Sequence, residues 1–172
     1  IRKYVGKGVE RLMSQTLNDT DFTDIPQAVA LFKKHYSENL VNHTDFYPHG
    51  REILEHFKNK KQAICSNKPE DFVRQILESL NGLQPFDAIL GGDSVKSKKP
   101  DPEGLNSILK QLNVSADEAV LIGDSPVDIE TGKRAGVYTC VVNYGLGFAE
   151  EIAAAKPDCS IDCLSELKKI FC

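Results

Sequence analysis

The 172-residue sequence contains no apolar run approaching the roughly 18 residues that cross a bilayer, and residues 1 to 30 lack the basic-then-apolar order of a secretory signal. No membrane association is expected. Positive charge is not in excess either. Twenty-one Lys and Arg stand against 25 Asp and Glu, a formal charge of -4, which offers no electrostatic footprint for nucleic acid or an anionic membrane surface. There is no CxxC, and the five cysteines (Cys65, Cys140, Cys159, Cys163, Cys172) are odd in number and mostly far apart. That pattern signals neither a disulfide framework nor a zinc site and fits a reducing cytoplasm. What is present is ordinary: 41% hydrophobic and 27% charged residues exclude a disordered or low-complexity chain. The length suits one domain, or one domain with a small appendage, and is enough to bury a core without staples.

The texture changes near residue 46. Residues 1–45 read as a helical lobe with two apolar stripes, Val5, Val9, Leu12, Met13 and Leu17 on one and Ala28, Val29, Leu31, Phe32, His35 and Tyr36 on the other. Residues 46–172 alternate short β-branched runs (62–65, 86–90, 119–122, 138–142 and, more weakly, 159–161) with helical stretches such as 70–80 and 102–112. Strand and helix in alternation predict βαβ units and a parallel sheet. Pro69, Pro102 and Pro126 are expected at first helical positions, with Lys68, Asp101 and Ser125 before them as N-caps.

Open parallel sheets bind ligands beyond the carboxyl ends of their strands, where helix N-termini also present unpaired N–H groups. The residues falling there are Ser66-Asn67-Lys68, Gly91-Gly92-Asp93 and Gly123-Asp124-Ser125. Small hydroxyl, Gly, Asp and Lys groups on one edge are the contents of a phosphate and Mg²⁺ site. Each has a plainer reading as well. Ser66 and Asn67 are common turn residues, and Lys96 and Lys98 read as solvated loop charge. Asp128 completes an approximate capping box with Ser125, which competes evenly with a metal role. His35, His43, His49 and His56 show no ligand spacing.

Taken in order, ICSNKP (64–69), GGDSVKSKKPDP (91–102) and LIGDSPVDIETGKRAG (121–136) resemble the haloacid dehalogenase superfamily of phosphohydrolases. With FYPHGREILEHF (46–57) ahead and YGLG (144–147) behind, the pattern is most similar to the phosphoglycolate phosphatase family, across nearly the whole chain. The resemblance implies a Rossmann-like α/β core with a small helical cap, and hydrolysis of a small phosphorylated metabolite through an aspartyl-phosphate with Mg²⁺. It implies that Ser66, Asn67 and Lys99 bind the phosphoryl group, with Ser66 and Lys99 catalytic, and that Asp124 and Asp128 serve the metal. Arg2, Lys3 and Lys7 fall where the cap would reach over substrate, although a solvated helix face accounts for most of them.

One family segment has no counterpart. The resemblance implies an opening strand ending in DxD, whose first Asp is the nucleophile and whose second is the general acid and base. Asp19-Thr20-Asp21 lies inside the helical lobe with no apolar strand before it. The expectation is a nucleophile upstream of Ile1, on a strand lying between 62–65 and 119–122. The alternatives are a phosphosugar mutase, a pyrophosphatase, and a catalytically dead or truncated module that binds a phosphometabolite.

Overall fold

The computed structural model of the chain describes residues 4, 6 and 8–171. The helical lobe contains α1 (Val9–Leu17) and α2 (Ile25–Glu38), packed on each other. Helix α2 begins where Asp24 caps it, its carboxylate accepting the Gln27 N–H at 2.9 Å. The inward row of α2 is Ile25, Ala28, Val29, Phe32 and Tyr36. Leu31 and His35, expected on that stripe, are exposed, because each lies one residue, about 100°, off the row. Neither helix buries a residue completely, so the lobe is a thin layer held by its edge contacts to the rest of the fold. Val5, Arg2, Lys3 and Lys7 lie outside the described residues.

The remainder is α/β, as expected. Five strands, β1 (Ala63–Cys65), β2 (Ala88–Leu90), β3 (Val120–Gly123), β4 (Tyr138–Val142) and β5 (Cys159–Ile161), pair only in parallel among the described residues. Helices α3 (Gly50–His56), α4 (Glu70–Ser79), α5 (Glu103–Leu112), α6 (Pro126–Ala135), α7 (Ala149–Ala155) and α8 (Leu167–Ile170) surround them. Strand β4 shows why both faces must be covered. Its alternate residues point to opposite sides: Cys140 and Val142 join Ile53, Ile161 and Leu167 in one core cluster, while Val141 joins Ile129 and Ile152 in another. Burial at four successive positions, 139 to 142, is the pattern of a strand covered on two faces.

The strands form two sheets, β1-β2 and β3-β4-β5. Helix α5 packs on β1 and β2, α6 packs on β3 and β4, and the two helices touch each other. Among the described residues β1 pairs only with β2, and β3 pairs in its sheet only with β4. The run 119–122 therefore leaves Ile122 at 41% exposure on an unpaired edge. This is the side on which the sequence called for a further strand.

Two expected helix starts shift by one residue. Pro69 and Pro102 are N-caps, not first helical residues, and only Pro126 opens its helix. Lys68 caps nothing. The α4 terminus is capped from a distance by Asp93, which accepts the Glu70 N–H at 2.8 Å. Asp101 does accept the Glu103 N–H at 2.9 Å. Gly136 closes α6 with φ 71, a left-handed conformation that costs glycine little, and the chain turns directly into β4.

Candidate active site

The loops leaving β1, β2, β3 and β4 carry the residues singled out above; parallel pairing puts each pair at the carboxyl edge of its own sheet, and the contact of Lys99 with Asp128 joins the two edges. Lys99 is at their centre. Its ammonium donates to Asp128 Oδ1 at 2.7 Å, and both side chains are nearly buried, at 13% and 11% exposure. The other Asp128 oxygen accepts the Ser125 hydroxyl at 2.7 Å and the Asp124 N–H at 3.2 Å. One carboxylate thus ties the lysine of one loop to the acid of another. Gly123 allows the close approach, because a Cβ there would overlap the Asp128 side chain.

Ser125 occupies the N-cap position of α6 but makes no side-chain cap bond. Its hydroxyl is spent on Asp128, so the simple cap expected there is replaced by a bridge to the buried carboxylate.

Asn67 explains how Lys99 is aimed. Its side-chain amide accepts the Lys99 N–H at 2.8 Å and donates to the Lys99 carbonyl at 2.9 Å and the Gly6 carbonyl at 2.8 Å. All three bonds go to backbone, and the residue is 7% exposed, so Asn67 grips the peptide that carries the lysine. The Lys99–Pro100 peptide bond is cis. Glu103 holds the same loop from its other end, accepting the N–H groups of Lys96 and Ser97 at 3.1 and 2.9 Å. Those backbone bonds also keep its carboxyl below the ordinary Glu value. Ser66, one residue before Asn67, accepts the Lys68 N–H at 3.1 Å. That bond uses an oxygen lone pair and leaves the hydroxyl hydrogen for a ligand.

Asp124 follows β3, and the loop after β4 holds it. Its Oδ2 accepts the Leu146 N–H at 3.0 Å, and its carbonyl accepts the Gly147 N–H at 2.9 Å. Gly145 admits the carboxylate, since a Cβ at 145 would overlap it. Motif reading assigned no role to the YGLG stretch, although two glycines directly after a strand are the available signal for close backbone approach. Asp93, an acid on the same edge, is occupied as the α4 cap. All four histidines are exposed.

Could these residues hold Mg²⁺? Among the described residues no three His, Cys, Asp or Glu side chains cluster tightly enough to cage an ion. Asp124 nevertheless keeps one carboxylate oxygen unspent among the described residues, while both Asp128 oxygens have partners. Mg²⁺ is commonly bound by one or two carboxylates with several retained waters. The donor set fits that mode: Asp124 has an oxygen to offer a metal, and Asp128 stands behind it.

Burial pushes the Asp128 carboxyl up. The adjacent Lys99 charge, the Lys99 hydrogen bond and the Ser125 hydroxyl outweigh it, so the group lies below its ordinary value of 3.8. A depressed carboxyl contributes stability that is complete above the unfolded-state value and is lost as pH falls through the lower folded value. Acid titration of unfolding free energy between about pH 5 and pH 2 is therefore expected to show a shallower slope in Asp128→Asn than in the parent. An unchanged slope would mean that the pair does not couple folding to protons. Nearby, burial pushes the Cys65 thiol up, against the pull of Lys99.

Comparison with known proteins places this geometry. A family model described as haloacid dehalogenase-like hydrolase matches residues 1–142. The phosphoglycolate phosphatase of Aquifex aeolicus (strain VF5) is 37% identical over 173 residues, covering 99% of this chain and 78% of its own length. That of Vibrio parahaemolyticus is 34% identical over 179 residues, with 99% and 78% covered. The crystal structure of a predicted phosphoglycolate phosphatase from Haemophilus somnus 129pt superposes with a TM-score of 0.90 at 27% identity, covering 98% of this chain and 80% of that one. With a family model spanning most of its length and relatives above 30% identity, the chain belongs to the haloacid dehalogenase-like hydrolases and is a phosphatase of that family.

Proposed function

We propose that the protein hydrolyses a small phosphomonoester, with 2-phosphoglycolate the first candidate because the relatives above are phosphoglycolate phosphatases. The observation that carries this reading is the chain of contacts from Lys99 through Asp128 to the backbone of Asp124 on the carboxyl edge. A transferring phosphoryl group spreads negative charge over its equatorial oxygens, and fixed donors lower the barrier without reorganising. Ser66 supplies a hydroxyl donor and Lys99 an ammonium with hydrogens left after its bond to Asp128. Asn67 and Asp128 hold that ammonium by its backbone and its head. Asp124 is the metal ligand of this reading. Mg²⁺, when bound, supplies Lewis-acid neutralisation of phosphoryl charge.

The aspartyl-phosphate route assigns the nucleophile to the expected DxD strand and not to any described residue. The single-partnered β1 and β3 are the edges such a strand would cover. Residues 1–45 are taken as the cap and 46–172 as the core. The free thiols Cys65, Cys140, Cys159 and Cys163 support a reducing, cytoplasmic location.

A substrate panel tests the reading. With Mg²⁺, the full-length protein is expected to release orthophosphate from 2-phosphoglycolate faster than from a hexose phosphate or pyrophosphate. Preference for either of those would favour the mutase or pyrophosphatase alternative. Tight binding of phosphate esters with no release would favour a binding module.

A further inference from the structure

Four lysines lie on the loops after β1 and β2: Lys68, Lys96, Lys98 and Lys99. Lys99 is paired with Asp128, Lys98 is paired with Glu10 of α1 at 3.0 Å, and Lys96 is exposed. Lys68 differs from all three. It is half-buried, yet no carboxylate of the described residues lies within ion-pair distance of it. Its ammonium instead donates to the Tyr36 hydroxyl and sits 4.6 Å from the centroid of that ring.

Tyr36 is itself immobilised between two aromatics. It stacks on Phe32 of its own helix and meets Phe72 of α4 edge-on, each at 5.5 Å between centroids. The cap helix α2 therefore presents a rigid, neutral seat to a lysine rooted in the core loop. A phenol oxygen can hold an ammonium in place, but it leaves its charge uncompensated. Keeping a charge half-buried without a counter-ion is unfavourable. An arriving anion relieves that cost, and at least one ammonium hydrogen remains to bond it.

The placement says which anion. Lys68 is two residues from Ser66 and shares a hydrogen bond with it, but its head is turned toward the cap. A ligand whose phosphoryl group lies at Ser66 and Lys99 would present its other end to Lys68. We propose that Lys68, seated on Tyr36, is a specificity-determining residue that recognises a carboxylate on the alcohol part of the substrate, selecting phosphorylated small acids over uncharged phosphate esters. This inference rests on the phosphatase reading for the position of the phosphoryl group.

The test compares 2-phosphoglycolate with ethyl phosphate, which has nearly the same size and lacks the carboxylate. Dissociation constants are measured by calorimetry without Mg²⁺, so that neither ester turns over, for the full-length protein and for Lys68→Met and Lys68→Arg. Lys68→Met is expected to weaken 2-phosphoglycolate about 10- to 100-fold, the range of one charge-assisted hydrogen bond, and ethyl phosphate less than about threefold. Lys68→Arg is expected to restore most of the difference, and retained ethyl phosphate binding shows that the variants are folded. Equal losses for both ligands, or no loss for either, would overturn the assignment. Orthophosphate release from the same two ligands is measured separately. Release without a Lys68-dependent difference sinks this inference and leaves the phosphatase standing. A Lys68-dependent difference in binding without release does the reverse.

Discussion

Replacing Lys99 by Ala is expected to lower phosphatase turnover by about three orders of magnitude, the scale for removing a fixed donor and cation from a phosphoryl-transfer site. It is also expected to lower folding stability by about 3 kcal/mol, because it leaves the Asp128 carboxylate 11% exposed and without its counter-charge. The two effects have separate origins. Asp128 keeps the Ser125 hydroxyl and the Asp124 N–H, so part of its hydrogen bonding survives. The double variant Lys99→Ala, Asp128→Asn should therefore recover part of the lost stability and none of the turnover. Denaturant midpoints and kcat/KM, measured together, separate these outcomes. Retained turnover in Lys99→Ala would remove the lysine from the chemistry.

Asp124→Asn is the second large expected effect. The substitution keeps the side-chain volume and an oxygen that can accept the Leu146 N–H at the present 3.0 Å, so stability should change by less than about 0.5 kcal/mol. What it removes is the negative charge on the carboxylate that has an unspent oxygen. Turnover at low Mg²⁺ is expected to fall by about a hundredfold or more and to recover in part as Mg²⁺ is raised, since the protein contributes only one or two of the ligands. An unaltered Mg²⁺ dependence would show that Asp124 is not the ligand.

The parts of this fold that a reader of the sequence can find are those set by local periodicity. Strand β4 is buried at four consecutive positions, three of them apolar (Cys140, Val141 and Val142), and α5 repeats Leu105, Ile108 and Leu112 along one face. Both announce themselves within a dozen residues. Lys99, Asp124 and Asp128 are legible as candidates because they stand in motifs of recognisable order. Their partners are not. Asp93 caps a helix that begins 23 residues earlier, and Asn67 bonds a peptide 32 residues away. No local window contains either pair, and Asn67, read as a phosphate ligand, instead directs its amide to backbone. Ser125 misled for a related reason, since its type and position say cap while its hydroxyl goes to Asp128. Leu31 and His35 lie one residue off the inward row of α2 and are exposed, a distinction that hydropathy alone does not reveal.

The proposed function requires Ser66, Lys99 and Asp124 to form one site for a phosphoryl group and Mg²⁺. Binding of orthophosphate to the full-length protein, measured by calorimetry with and without Mg²⁺, tests it most directly. If phosphate and metal share the site, Mg²⁺ should tighten phosphate binding, and phosphate should tighten Mg²⁺ by the same factor, as linkage requires. Lys99→Ala should weaken phosphate in both conditions, and Asp124→Asn should abolish the effect of Mg²⁺. Phosphate affinity that is indifferent to Mg²⁺ and unchanged in Lys99→Ala would contradict the account.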